Sequence, residues 1–169
     1  KPGQLSALKT EQFAGFTSAQ VKALGSEQAL VLGSAQLSAI SGTGLESLTT
    51  SQIQALDPSR LQAMRTSQIS GLSTAQIAAL KTSQIPAIAS SQIASLGTDV
   101  VVALTTSQFA AMSGLQLAAI TTAQITAVET VDLRALSTGQ IRLLTTAQVA
   151  SMETADVAAL SVTQVAGLS

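Results

Sequence analysis

One eight-residue phrase, repeated without insertion or deletion, constrains this chain more than anything else in it. It is plainest where Lys81-Thr82-Ser83-Gln84-Ile85-Pro86-Ala87-Ile88 runs into Ala89-Ser90-Ser91-Gln92-Ile93-Ala94-Ser95-Leu96. Counting in eights from Lys1 gives twenty-one octads, with Ser169 the first residue of another. Octad 1 is residues 1–8, octad 2 is residues 9–16, and the positions within each are places one to eight. A fixed short period of this kind belongs to arrays in which each unit is one small structural element that cannot bury its apolar face alone.

The places differ sharply in what they accept. Place five is large and apolar in twenty of twenty-one octads, Ala29 being the exception, and place eight is apolar in all. Place seven is Ala, Gly or Ser except for Val31 and Leu143, so something approaches the backbone closely there. Place two is Ser or Thr in sixteen octads; place four is Gln in sixteen, and Gly44, Arg60, Val100, Asp132 and Asp156 interrupt it. The seventeen charged residues fall only at places one, three, four and six, which assigns two, five, seven and eight to the protected side.

Geometry narrows the backbones that fit. In one continuous α-helix eight residues turn through about 800°, so the apolar stripe drifts by roughly 80° per octad and no seam forms. In a strand, places five and eight have opposite parity and face opposite ways, while Ala and Gln are poor strand formers. The reading that remains is all-α: a solenoid of very short helices, one per octad. Ser or Thr at place two is read as the N-cap, which puts five and eight at i and i+3 on one face. Gly25, Gly33 and Gly97 at place one then read as left-handed helix ends. Pro58 reads as a local shift in which Asp57 caps and the proline opens the helix. Pro86, inside its octad, removes a helical donor and predicts a 3₁₀ turn. A six-residue helix is unstable alone, so neighbouring octads must share their burial.

Spacing of rare residues sets the number of octads per coil. Acidic residues at place one are Asp57, Glu129 and Glu153, separated by nine octads and then three, and Gly42 and Gly114 at place two are also nine octads apart. Every interval is a multiple of three octads, which predicts three octads per coil and a triangular cross-section. Glu129 and Asp132 then lie beside Glu153 and Asp156. Two readings are open: solvated acids with Arg134 as counter-charge, or a cluster bridged by a hard cation such as calcium. For the glutamines at place four, the amides either satisfy backbone groups left open by the broken helices or form a ladder from coil to coil.

Chemistry is conspicuous by what the composition omits. There is no Cys, His, Trp or Tyr, and the three aromatics, Phe13, Phe16 and Phe109, fall at places five and eight. No thiol, imidazole or ordinary zinc ligand set exists, and no base stands ready to activate the many hydroxyls. No catalytic, cofactor-binding or metal-binding residue is therefore assigned, no cofactor is expected, and an enzyme is not. Eight Lys and Arg against nine Asp and Glu leave a net charge of −1, without the basic stripe that nucleic acid requires. The longest apolar run, Val100–Leu104, is far short of the roughly 20 residues of a membrane span. No charged segment leading into an apolar stretch marks a signal peptide. Residues 1–169 read as one uncapped octapeptide-repeat solenoid, expected to be a piece of a longer array.

Phrases such as Leu144-Thr145-Thr146-Ala147-Gln148-Val149 and Leu72-Ser73-Thr74-Ala75-Gln76-Ile77-Ala78-Ala79-Leu80 resemble the Thr-Ala-Gln-rich short-repeat tracts of large secreted bacterial surface proteins, often called adhesin-like. The resemblance covers essentially the whole chain. It implies an extracellular or cell-surface structural array: a rod, stalk or fibre-forming protein that self-associates end to end or laterally, or meets a host or matrix surface ligand. The alternative is a binding module whose regular face takes a peptide, a glycan or ice.

Overall fold

Two extended residues, at place eight and the following place one, turn the chain at every corner. Ile120 has φ −57° and ψ 128°, and Thr121 after it has φ −72° and ψ 160°. Helix resumes at place two and lasts four to six residues, as in Thr122–Ala127 and Thr98–Val102. In this computed structural model, which describes residues 2–168, twenty short α-helices and one 3₁₀ helix follow one another in this way, one to an octad. The 3₁₀ helix is Thr82–Ala87, the octad that carries Pro86, as the missing donor requires.

Each helix packs beside the helix three octads further along, for example Thr98–Val102 beside Thr122–Ala127, and Gly114–Ala119 beside Ser90–Ala94. Three helices therefore close one coil, and coils stack along an axis. Side chains divide the work of stacking. Place eight is half-buried in Leu8, Phe16 and Leu24 but buried from Leu32 to Leu160, so it is covered by the coil before. Place five is buried from Leu5 to Ile141, half-buried at Val149 and open at Val157 and Val165, so it is covered by the coil after. One apolar core runs continuously through all the coils. Phe13 and Phe16 meet in it with ring centroids 4.8 Å apart.

The protected side differs from the sequence reading. Beyond the first coil, places four, five and eight are mostly buried and place seven is mostly half-buried, whereas place two is mostly exposed. The helix starts one residue earlier than Ser or Thr at place two suggested: the cap is place one, where Thr17, Thr49, Ser73, Thr105 and Thr121 accept from the backbone N–H of place four. Gly25, Gly33 and Gly97 are accordingly not left-handed helix ends. Their φ values are −70°, −69° and −64°, and they occupy the N-cap. Asp57 and Pro58 need no shift, since an N-cap at place one and Pro at the first helical residue is the ordinary register.

The small residues at place seven have a neighbour that explains them. Gly167 lies with Thr138, at place two of the coil before, so close that an added Cβ would stand 3.2 Å from its Cγ2. Leu143, one of the two large residues at this place, lies over Gly114, where a Cβ would come within 2.1 Å of the leucine. A large place seven is matched there by a missing side chain at place two. Val100, Val101 and Val102 fill the same core: the first two are buried and the third is half-buried.

Leu117 and Leu115 separate core from surface within two residues, being 0% and 78% exposed. Leu117→Ala is expected to cost about 2–5 kcal/mol, and Leu115→Ala less than about 0.5 kcal/mol. Urea unfolding midpoints of the two variants measure the difference.

Candidate functional site: the glutamine joint

A helix of six residues strands amides at its start and carbonyls at its end. Gln at place four meets both sets. In octad 15, Gln116 Oε1 accepts from the backbone N–H of Ser113 at 2.7 Å, while Nε2 donates to the carbonyl oxygens of Ile85 at 2.7 Å and Ile88 at 2.6 Å. Ser113 Oγ in return accepts from the backbone N–H of Gln116 at 3.3 Å, completing a capping box. The carbonyls belong to places five and eight, 31 and 28 residues earlier, at the corner directly before in the stack.

The joint recurs with little variation. Gln84 spans Lys81 N–H, Ile53 and Leu56; Gln124 spans Thr121 N–H, Ile93 and Leu96; Gln148 spans Thr145 N–H, Leu117 and Ile120. Gln52 makes the same contacts to Val21 and Leu24. These amides are almost fully buried, Gln68 at 0% and Gln148 at 1% exposure. Among the described residues no buried side-chain nitrogen or oxygen lacks a partner. The first of the two structural readings of glutamine is therefore the observed one. The buried amides from Gln36 on bond chiefly to backbone groups, which include those of the coil before, and not to one another.

The accepting half of the joint explains why place one is so variable. Gly33, Arg65, Lys81 and Ala89 offer no capping hydroxyl, yet the N–H of each is taken by the glutamine three residues on, at 2.7–2.8 Å. Ser-x-x-Gln and Thr-x-x-Gln spacing, as in Thr49 to Gln52 and Ser137 to Gln140, is the capping-box signature that locates the cap from sequence.

Five octads lack the glutamine. At Gly44 the coils are linked instead by Ser18 Oγ donating to Thr43 O at 3.1 Å and Ser47 Oγ donating to Ser18 O at 2.9 Å. Arg60 pairs on its own octad with Asp57 at 2.9 Å. The hydrogen bond from the Ser59 hydroxyl, with Arg60 behind it, holds the Asp57 carboxyl below its usual range. Val100 fills the place with aliphatic packing. Asp156 keeps the accepting half, its Oδ2 accepting from the Glu153 backbone N–H at 3.2 Å, and Thr130 Oγ1 of the coil before donates to its Oδ1 at 2.6 Å; Asp132 closes no capping box and is bonded by the Thr106 hydroxyl of the coil before. Burial, more than any charge nearby, pushes the Asp132 carboxyl up.

Glu129, Asp132, Glu153 and Asp156 are therefore not four solvated acids. Asp132 and Asp156 are buried, at 5% and 4% exposure, whereas Glu129 and Glu153 face solvent. Arg134 pairs with none of them, and among the described residues no three acidic side chains converge as a metal would need. Hollows on the surface, such as the one lined by Arg134, Ser137, Thr138, Ser161 and Gln164, are open to solvent. Among the described residues no helix is long and apolar enough to cross a membrane.

Replacing the amide tests the joint directly. Gln116→Leu strands the Ser113 N–H and the Ile88 carbonyl and is expected to cost at least about 2 kcal/mol, at roughly 1–3 per buried unpaired group. Gln12→Leu, in the first coil, where the side chain is exposed, is expected to change stability by less than about 1 kcal/mol. Hydrogen exchange at Ser113 in the first variant localises the effect.

Comparison with known families agrees with this geometry. The model for the ALTTAQ repeat matches residues 2–34, 59–90 and 125–162, together more than half of the chain. No curated protein matches. The six letters of that description run from place seven to place four, as in Ala103-Leu104-Thr105-Thr106-Ser107-Gln108 with Ser for the second Ala. They therefore span the corner, the cap and the glutamine joint. The chain is a member of the ALTTAQ repeat family.

Proposed function

We propose that the chain is a structural array, a rod, stalk or fibre-forming segment exposed outside the cell or on its surface, with no catalytic role and no nucleic-acid partner. The observation that carries this reading is the translational sameness of the joint. Gln84, Gln116 and Gln148 lie four octads apart and make one pattern of bonds, so further coils extend the stack without altering its cross-section. The same complementarity suits end-to-end association of copies, and the exposed face suits lateral contact.

A second reading, a binding module, is favoured by one detail. Caps are at place one, so the hydroxyls of Thr74, Thr98, Thr122 and Thr146 are not consumed as caps; all four residues are exposed and succeed one another one per coil. Such a row is what a regular ligand such as ice or a glycan would meet. An ice-recrystallisation assay and a glycan array test this reading; activity in either assay would favour it over the rod.

Small-angle scattering tests the rod. Excising the coil Thr105–Val128 is expected to shorten the particle while leaving its cross-sectional radius of gyration and melting temperature nearly unchanged, because downstream residues keep their stacking partners. Excising Thr105–Gln116, one and a half octads, places helix against corner and is expected to unfold the neighbouring coils. If both deletions behave alike, the coil is not the structural unit and the rod reading fails.

A further inference from the structure

Asp132 occupies place four, which is a neutral amide in sixteen octads, Gln108 directly before it in the stack among them. Its side chain is 5% exposed, and its one bond from the coil before is the hydroxyl of Thr106. A carboxylate cannot donate, so the Leu104 carbonyl, which a glutamine here would reach, receives no side-chain amide. The charges around it do not compensate. Its own octad brings Glu129 and Arg134; octad 20, stacked on it, brings Glu153 and Asp156; octad 18 brings Arg142; octads 14 and 16 bring none; octad 13 brings Asp99. Neither arginine forms an ion pair among the described residues.

We propose that Asp132 makes the joint between octads 14 and 17 acid-tightened, so that uptake of one proton by the buried carboxylate fastens the two coils more firmly than they are held at neutral pH. The step is a simple protonation, from carboxylate to carboxylic acid. The neutral acid still accepts from Thr106, no longer carries a desolvated charge, and is no longer repelled by Glu129. The upward displacement of its titration, caused first by burial and then by Glu129, agrees with this. The sign follows: a carboxyl whose folded value is raised above its ordinary 3.8 binds its proton more tightly in the folded chain. Its stabilisation is complete below that value and is lost as pH rises through the raised one.

The test compares the chain with Asp132→Asn, which keeps size and acceptor but cannot titrate, by thermal melting from pH 7 to pH 4. The difference between the two isolates Asp132 from the other acids, of which Asp57 acts in the opposite sense. At pH 7 the variant is expected to melt about 2–4 °C higher, and the gap should close toward pH 4. A variant that melts below the parent at pH 7, or a gap that does not change with pH, overturns the proposal. Carbon-13 NMR of the Asp132 carboxyl in the unaltered chain decides the matter even if the variant does not fold: a midpoint above the ordinary carboxylate range supports the joint, and one at or below 3.8 refutes it.

Discussion

A helix of four to six residues leaves most of its backbone polar groups without helical partners, and burying such groups unpaired costs more than two apolar side chains return. In most octads of this chain one primary amide resolves both ends of the problem. It has an acceptor and two donors on one rigid plane. The acceptor closes the start of its own helix, and the donors close the end of a helix laid down in the coil before. Glutamate could supply only the accepting half, asparagine is a methylene shorter, and lysine could only donate.

Cohesion in the stack therefore has two components of different character. The apolar component is continuous: place five meets the coil after, place eight the coil before, and the core has no gap where one unit stops. The polar component is discrete, a joint at most corners, and it fixes register. Sliding one coil against another by a single residue would leave the apolar surfaces roughly covered but would misplace every amide. Burial stabilises the array, and hydrogen bonding decides which array forms.

Much of this was legible in the residues. The octad, the helical character, the 3₁₀ turn at Pro86 and three octads per coil all followed from periodicity and the spacing of rare residues, because stacked coils bring like places together. The cap was misassigned for a physical reason. Place two looked like the cap because Ser and Thr are so frequent there, whereas the true cap at place one tolerates Gly, Lys, Ala and Arg, since Gln takes the place-one amide whatever the side chain. The burial of place four was hidden because charged residues also occur there. Arg60 is half-buried and engages Asp57 of its own octad, whereas Asp132 and Asp156 are covered by threonine hydroxyls from the coil before, far from them in sequence.

The direction of the joint has a consequence for how the molecule is made. Wherever the joint links two coils, its amide reaches backward, to carbonyls 28 to 31 residues nearer the start of the chain. A ribosome delivers the early residues first, so the acceptors of each coil are already folded when the donors that need them emerge. The growing end always finds a finished template, and no amide has to wait for residues not yet translated. Such a chain is suited to folding at the pace of its synthesis, one coil at a time, whatever its length.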